Sequence, residues 1–454
     1  MSKVTSALKF VGSLNLSKVT GLFHTHRDRI VGGIEQVLAS LVSMVGLIFL
    51  SRLMSLDNFG ILAIATGIWL IIEMLQDSVI ISPFILSCPK PRDNPFEFGA
   101  WLALNIAASF AVPLVLLVLG SLLLPLLPEL AQGIMLSAAM TFVGILYMFA
   151  RRVHYHHRDR KSLLTQTFFY GVSYILALLA VVQYVEVITP VWGALILTFA
   201  YGIPGLIFTL KIATQVRFSR EIWQRIRRER RLIIELGTAG SIWQLAYTST
   251  LVLLSALGTP AAVAIFSITR TLVRPITIII STLLAVDFSS AVRTYKEDGT
   301  VGLHRVIKNL WLASSFLIVV PMALLLIFPE FFLTLIYSEK YAHATLELQL
   351  RALLFLPIIY GAPLDIGLSV LRETKFLVRA HFTSLMIGLT ALMSFYAFGY
   401  INATTALASL GIGRLLVLPM MHNRYFALIG KQKKSVEKQD FPPLKLSEAE
   451  PSDV

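Results

Sequence analysis

Charge is scarce in this chain, acidic charge scarcer still, and cysteine almost absent. Charged residues make up 14% of its 454 residues, where a soluble domain carries about a quarter. With 56% hydrophobic residues and a mean hydropathy of +0.75, this excludes a water-soluble globular protein. The single cysteine, Cys88, rules out an intrachain disulfide framework and a cysteine-based zinc cluster. No G-x-x-x-x-G-K-[ST] loop is present, which excludes ATP hydrolysis by that route. No Ser/His/Asp constellation stands out, so no catalytic residue is assigned and the chain is read as a non-enzyme. No cleavable leader is expected from the N-terminal pattern. The first 23 residues mix Lys3, Lys9 and Lys18 with Val4, Leu8, Val11 and Leu22 rather than building one apolar core before a cleavage site. They read either as an amphipathic interfacial helix or as a disordered tail. The run His154-Tyr155-His156-His157 sits among arginines with no nearby cluster of acidic or cysteine ligands. It is predicted to be a solvated interfacial loop, and no metal site is expected.

What the chain does have is twelve long apolar runs, at about 30–51, 60–86, 98–124, 131–150, 163–185, 188–210, 233–257, 260–290, 307–328, 346–370, 377–398 and 401–428. A membrane-crossing helix needs about 20 apolar residues, and only helices or closed barrels satisfy the backbone in lipid. The fold class is therefore an all-α polytopic membrane protein of about twelve transmembrane helices. The formal net charge is +13, and its placement is ordered. All but six of the 39 Lys and Arg residues fall in the two tails or in alternate gaps. The six are Arg52, Arg270, Arg274, Lys340, Arg351 and Arg414, and only Arg52 and Lys340 lie near gaps on the other side. The positive-inside rule then predicts an even span count with both termini cytoplasmic. The basic residues read as topology signals and contacts to anionic membrane lipids. Nucleic acid is not expected as a partner, since no recognition module accompanies the charge.

The outer gaps are short and lean acidic (Asp57, Glu129, Glu186, Glu330, Glu339), leaving no room for an external catalytic domain. The sixth gap, VRFSREIWQRIRRERR, is basic and falls near the midpoint. The halves repeat faintly: SRLMSLDNFGILAI at 51–64 aligns with SALGTPAAVAIFSI at 255–268. Six spans per half make the repeats parallel, with a pseudo-twofold along the membrane normal and a substrate path between two lobes. The organisation expected is a cytoplasmic N-tail (1–29), an N-lobe of six spans (30–210), a basic cytoplasmic linker (211–232), a C-lobe of six spans (233–428) and a disordered cytoplasmic tail (429–454).

Ionisable residues inside a membrane are costly and are functional candidates by default. Arg270 and Arg274, in TRTLVRP, stand i, i+4 on the eighth span, which puts both on one helical face. Two planar guanidinium groups match the oxygens of a diphosphate; the alternatives are pairing across the lobes and snorkelling to headgroups. Glu73 and Asp77 repeat that spacing on the second span with the opposite sign. One hypothesis pairs them with Arg270 and Arg274 across the cleft in one state and separates them in another, with protonation coupling the cycle to a gradient; a fixed polar network is the other. Arg414, Arg351, Asp365 and Glu35 are further cleft candidates, with Asp287 near the inner end of the eighth span, and each reads equally as a helix-end residue reaching the interface.

The opening RDRIVGGIEQVLASLVSMVGLIFLSRLMSLDNFGILAIATGI resembles the first two spans of Wzx-type polysaccharide flippases. These form the polysaccharide-transporter branch of the multidrug/oligosaccharidyl-lipid/polysaccharide (MOP) exporter superfamily, related to MATE and MurJ. The matching features are a first helix ending in Leu50-Ser51-Arg52-Leu53, the turn Leu56-Asp57-Asn58-Phe59-Gly60 and an immediate second helix. The resemblance implies two six-helix lobes around a V-shaped central cleft. It implies alternating access that carries a polyprenyl-diphosphate-linked oligosaccharide across a bacterial inner membrane for O-antigen, capsule or exopolysaccharide. A polysaccharide polymerase and glycosyltransferases are the implied protein partners. No cofactor is expected, with a proton or sodium gradient as the candidate energy source. Two other readings stay open: a MATE-like multidrug/cation antiporter, and a membrane scaffold of a glycan assembly complex. The major facilitator pattern is not met, since the loop after span 2 reads CPKPRDNPFEFG.

Overall fold

Proline sets where five of the helices begin. Pro95, Pro128, Pro190, Pro260 and Pro329 each stand at a first-turn position, where the missing N–H costs nothing and the fixed φ suits a helix. The computed structural model describes residues 16–88, 94–157, 159–217 and 248–438, together with isolated positions of 224–234. In chain order the helices are α1 (Leu16–Leu53), α2 (Leu56–Gln76), α3 (Pro95–Leu123), α4 (Pro128–His156), α5 (Arg160–Tyr184), α6 (Pro190–Ala213), α7 (Thr248–Leu257), α8 (Pro260–Leu272), α9 (Arg274–Ile327), α10 (Pro329–Ile336), α11 (Thr345–Leu353), α12 (Phe355–Val370), α13 (Thr374–Ala397) and α14 (Ala403–Lys438). No strand occurs among the described residues. Among the described residues ten stretches are long and apolar enough to cross a membrane, and α7 and α8 are shorter apolar helices. The protein is thus an all-α, multi-pass membrane protein, and about twelve spans are accounted for.

The internal repeat is visible in the backbone. Ser55 caps α2 by accepting from the Asn58 N–H at 3.3 Å, and Thr259 caps α8 by accepting from the Ala262 N–H at 3.2 Å. These are equivalent positions of the two aligned segments, so both lobes open their second helix with the same side-chain-to-backbone cap. The capped ends meet: a Cβ on Gly60 would stand 2.0 Å from the carbonyl oxygen of Pro260. Only glycine lets the two helix starts approach this closely.

One buried apolar cluster runs through both lobes near this turn, from Leu50, Met54 and Phe59 to Val263, Phe266 and Tyr337. Towards the opposite end the core divides. Phe84, Phe98 and Phe149 hold a cluster within the N-lobe, and Leu303, Leu364 and Tyr425 hold another within the C-lobe. The two lobes are joined at the 51–55 end and parted towards the end where the chain terminates, leaving a central cleft. Polar bonds tie the N-lobe helices where lipid offers no hydrophobic drive. Gln76 donates to Asn105 Oδ1 at 2.8 Å and to the Ile145 carbonyl at 2.7 Å.

Several expected boundaries move. The eighth span is not one helix, because Pro275 lacks an N–H and crowds the carbonyl of Thr271. The chain breaks at Val273, so Arg270 closes α8 and Arg274 opens α9. The long α9 is broken again at Gly299 (φ 64°). The tenth span divides at Leu354 into α11 and α12. In α2 the last turn widens to a π-turn at Asp77–Ile81, where the Ser82 N–H reaches back to the Asp77 carbonyl just before Pro83. The fourth span runs on to His156, so the histidine run is not a solvated loop. His154 is buried with its ring edge-on to Phe208 at 5.3 Å, and His156 hydrogen-bonds the Cys88 carbonyl at 3.0 Å. Lys211, expected to open the linker, belongs to α6 and donates to Ser162 at 2.7 Å. Helix α14 continues to Lys438, into the stretch expected to be a disordered tail. Part of the linker, residues 1–15 and residues 439–454 lie outside the described residues.

Candidate substrate cleft

The cleft holds two cavities that share Thr277. The first, of about 310 Å³, lies where α1, α2, α4, α5 and α6 face the α8–α9 break. Arg270 and Arg274 line it from the C-lobe, and Glu73 and Arg151 line it from the N-lobe. Arg274 crosses the cleft, its Nη1 donating to Ser43 Oγ on α1 at 2.6 Å. Glu73 lies within the fields of Arg151, Arg152 and Arg274. Asp77 does not reach Arg270 or Arg274; it pairs with Arg152 of α4 at 3.1 Å, at a half-exposed site within its own lobe. In this state Asp77 is therefore engaged within its own lobe, at the start of the π-turn.

The sequence pattern puts Arg151 in the fourth gap, on the cytoplasmic side. Instead it is buried on α4 and forms one wall of the first cavity. Its Nε and Nη2 donate to the two oxygens of Glu35 at 2.8 and 2.9 Å, and Nη2 also donates to Gln36 Oε1 at 2.6 Å. Thr167 donates to Glu35 at 2.5 Å, and the Tyr155 hydroxyl donates to its other oxygen. Glu35 has no exposed surface; it stands behind the cavity wall and holds Arg151 rather than lining the cleft itself. The two-pronged geometry and the full set of donors are what such a buried pair requires. A sequence signal does exist: Tyr147, Arg151 and Tyr155 share one face of α4 by i, i+4 spacing, facing an acid on α1.

The floor of the first cavity is aromatic, a feature that sequence reasoning misses. Trp69, Tyr147, Tyr170 and Tyr201 come from four helices, and Tyr170 and Tyr201 stack with centroids 5.2 Å apart. Tyr201 also contacts Trp69 at 5.8 Å and Tyr147 at 5.3 Å.

The second cavity, of about 770 Å³, lies among α9, α12, α13 and α14, with Met74 of α2 at its edge. Its walls are mostly aliphatic. At one side Asp365 meets His381 at 3.1 Å, and Arg414 lines the same space. Arg351 is in neither cavity. It is buried on α11, with its guanidinium 4.4 Å over the Phe266 ring and Nη2 donating to the Phe266 carbonyl at 3.2 Å. It ties α11 to α8 by packing against Phe266 and does not line the two cavities, contrary to the sequence expectation. Asp287 is half-buried and lines neither cavity. Among the described residues no group of three His, Cys, Asp or Glu side chains is placed to hold a metal ion.

No family model matches the chain, and no curated protein matches it. Solved structures do. An inward-facing multidrug-resistance MATE transporter of the MOP superfamily superimposes with a TM-score of 0.65, at 14% identity over 87% of this chain and 96% of that one. The lipid II flippase MurJ in an inward closed conformation also gives 0.65, at 12% identity over 91% and 93%. A MOP-superfamily transporter from Pyrococcus furiosus gives 0.57, at 15% identity over 89% and 95%. The chain shares the fold of these MATE and MurJ structures. At these identities the likeness carries architecture, and it matches an all-α membrane protein of two lobes around a cleft.

Proposed function

We propose that this protein is a flippase that moves a polyprenyl-diphosphate-linked oligosaccharide across the bacterial inner membrane by alternating access, for surface-polysaccharide assembly. The observation that carries the reading is the first cavity. Three arginines contributed by both lobes, Arg151, Arg270 and Arg274, surround one carboxylate, Glu73, above an aromatic floor. That cationic excess suits a diphosphate, whose oxygens match guanidinium donors two at a time. Aromatic rings beside it suit the apolar faces of sugar rings. A cation or cationic drug would meet net positive charge, so the antiporter reading is less well supported by the cavity than by the shared fold. The charge asymmetry of the loops supports cytoplasmic termini, with the parted end of the cleft on the cytoplasmic side, where the lipid-linked unit is made. Glycosyltransferases and a polymerase are the partners this role implies, and a proton or sodium gradient acting through Glu73 is the energy source it suggests.

The test is deletion of the gene in its host, with extraction and mass analysis of lipid-linked glycans. The expected result is accumulation of a complete lipid-linked unit with loss of surface polymer; unchanged glycans would discard the role. Complementation with Arg270→Ala/Arg274→Ala should fail while the variant elutes and melts as the wild type does. Charge-assisted hydrogen bonds contribute about 1.5–3 kcal/mol each, so losing both arginines predicts a fall in transport on the order of a hundredfold or more. Full complementation by the double variant would remove both residues from the mechanism.

A further inference from the structure

Arg52 and Lys340 are the two basic residues that break the charge pattern by lying at the 51–55 end of the molecule. Each has partners there, and the partners lie in the opposite lobe. Arg52, in the last turn of α1, donates through Nε to the Ile336 carbonyl at 2.8 Å and through Nη2 to the Leu335 carbonyl. These are the last carbonyls of α10 in the C-lobe. Lys340, just beyond α10, donates to the carbonyls of Arg52 and Met54 at 3.1 and 2.5 Å, at the end of α1 in the N-lobe. The Tyr341 hydroxyl adds a bond to the Ser51 carbonyl at 3.3 Å. The last carbonyls of a helix have no intrahelical donor and carry the negative end of its dipole. Here each helix end receives a cation from the other lobe.

We propose that Arg52 and Lys340 form a reciprocal clamp that holds this end of the cleft shut and opens once in every transport cycle. The inference rests on the alternating-access reading above. All five bonds join the lobes, so separation at this end breaks all of them together. Every acceptor is a neutral carbonyl, and among the described residues neither cation has a carboxylate partner there. On opening, water rehydrates ammonium, guanidinium and carbonyls alike, so the clamp is directional without being irreversible. A carboxylate–arginine pair at the same place would be harder to part in a partly buried site. The clamp also accounts for two cations retained on the side where the charge rule disfavours them.

The test is a pair of distance measurements by double electron–electron resonance on the full chain in nanodiscs, in a Cys88→Ala background. Spin labels at Asp57→Cys and Glu330→Cys span the clamped end, and labels at Lys161→Cys and Lys375→Cys span the parted end; all four positions lie outside the clamp. Arg52→Gln/Lys340→Gln is expected to add a longer-distance population at the first pair and a shorter one at the second, raising the ratio of open to clamped molecules roughly tenfold or more. Arg52→Lys/Lys340→Arg keeps both cations and should keep the wild-type distributions. Distributions of the double glutamine variant that coincide with those of the wild type would overturn the clamp. Should that variant not fold, Lys340→Gln alone removes two of the five bonds, and an unchanged distribution in it has the same force. The readout needs no substrate, so it stands or falls separately from the glycan-accumulation test.

Discussion

The two cavities of the cleft touch at Thr277 yet differ in both chemistry and construction. The first takes its walls from both lobes and concentrates charge and aromatic rings. The second is cut almost wholly from the C-lobe and is mostly aliphatic, with Asp365, His381 and Arg414 as its ionisable lining residues. On the alternating-access reading, a cavity walled by two lobes is dismantled when they swing, and the Arg274–Ser43 bond across it breaks. A cavity within one lobe travels with that lobe. On that reading the state-dependent electrostatics belong to the first cavity, and its arginines are the candidates for grip and release. The support behind the walls differs too. Arg151 is anchored by a fully buried carboxylate, whereas the Asp365–His381 pair is partly open to solvent.

That difference makes a graded prediction. Glu35→Ala leaves a buried arginine without its counter-charge, and breaking a buried pair costs about 3–5 kcal/mol. Thermal melting in detergent should show a larger fall for this substitution than for any other single change at the two cavities, and transport should fall with it because Arg151 loses its position on the cavity wall. Glu35→Gln, which keeps the side-chain volume and one acceptor oxygen, should fall less. Asp365→Asn touches a pair that solvent already screens, where an ion pair is worth about 0–1 kcal/mol. Its melting point should stay close to that of the wild type. Equal losses from Glu35→Ala and Asp365→Asn would erase the distinction between the two cavities.

The contrast also explains what the sequence can and cannot reveal. Apolar runs and alternating charge make the membrane class, the approximate spans and the twofold repeat legible, because those features are local and periodic. Arg151 is misplaced for a physical reason: hydropathy ends the fourth span at Ala150, but α4 continues to His156 because Glu35, an acid more than a hundred positions away, makes burying that arginine tolerable. The break between Arg270 and Arg274 is written in Pro275, yet the proline alone does not say that both arginines still face one cavity. The aromatic floor is illegible, since Trp69, Tyr147, Tyr170 and Tyr201 stand on four helices and meet only in the folded lobe. Arg351 shows the converse error. A charge inside a span invites a functional reading, and here an aromatic ring and a carbonyl of α8 satisfy it instead.

The smallest expected effect concerns Cys88, just past the end of the α2 segment and outside the charged cavity. Burial, with a lesser contribution from Glu97, pushes its thiol up from 9 to about 12. Only the thiolate reacts, so maleimide labelling of the folded protein at pH 7–8 should be on the order of a thousandfold slower than that of the unfolded chain, a ratio that follows from three pH units of thiol acidity. The sign of the stability effect follows from linkage. Between pH 9 and 12 the unfolded thiol ionises while the folded one keeps its proton, so this residue favours folding fully below pH 9 and loses that contribution as pH climbs towards 12. Cys88→Ala should abolish that part of the alkaline sensitivity, lower neutral-pH stability by only about 1 kcal/mol, and leave transport intact. Rapid labelling of the folded wild type at neutral pH would mean that the closed packing of Phe84 and Phe98 around this thiol opens readily, and the N-lobe would then be a less rigid frame for Arg151 than its buried ion pair implies.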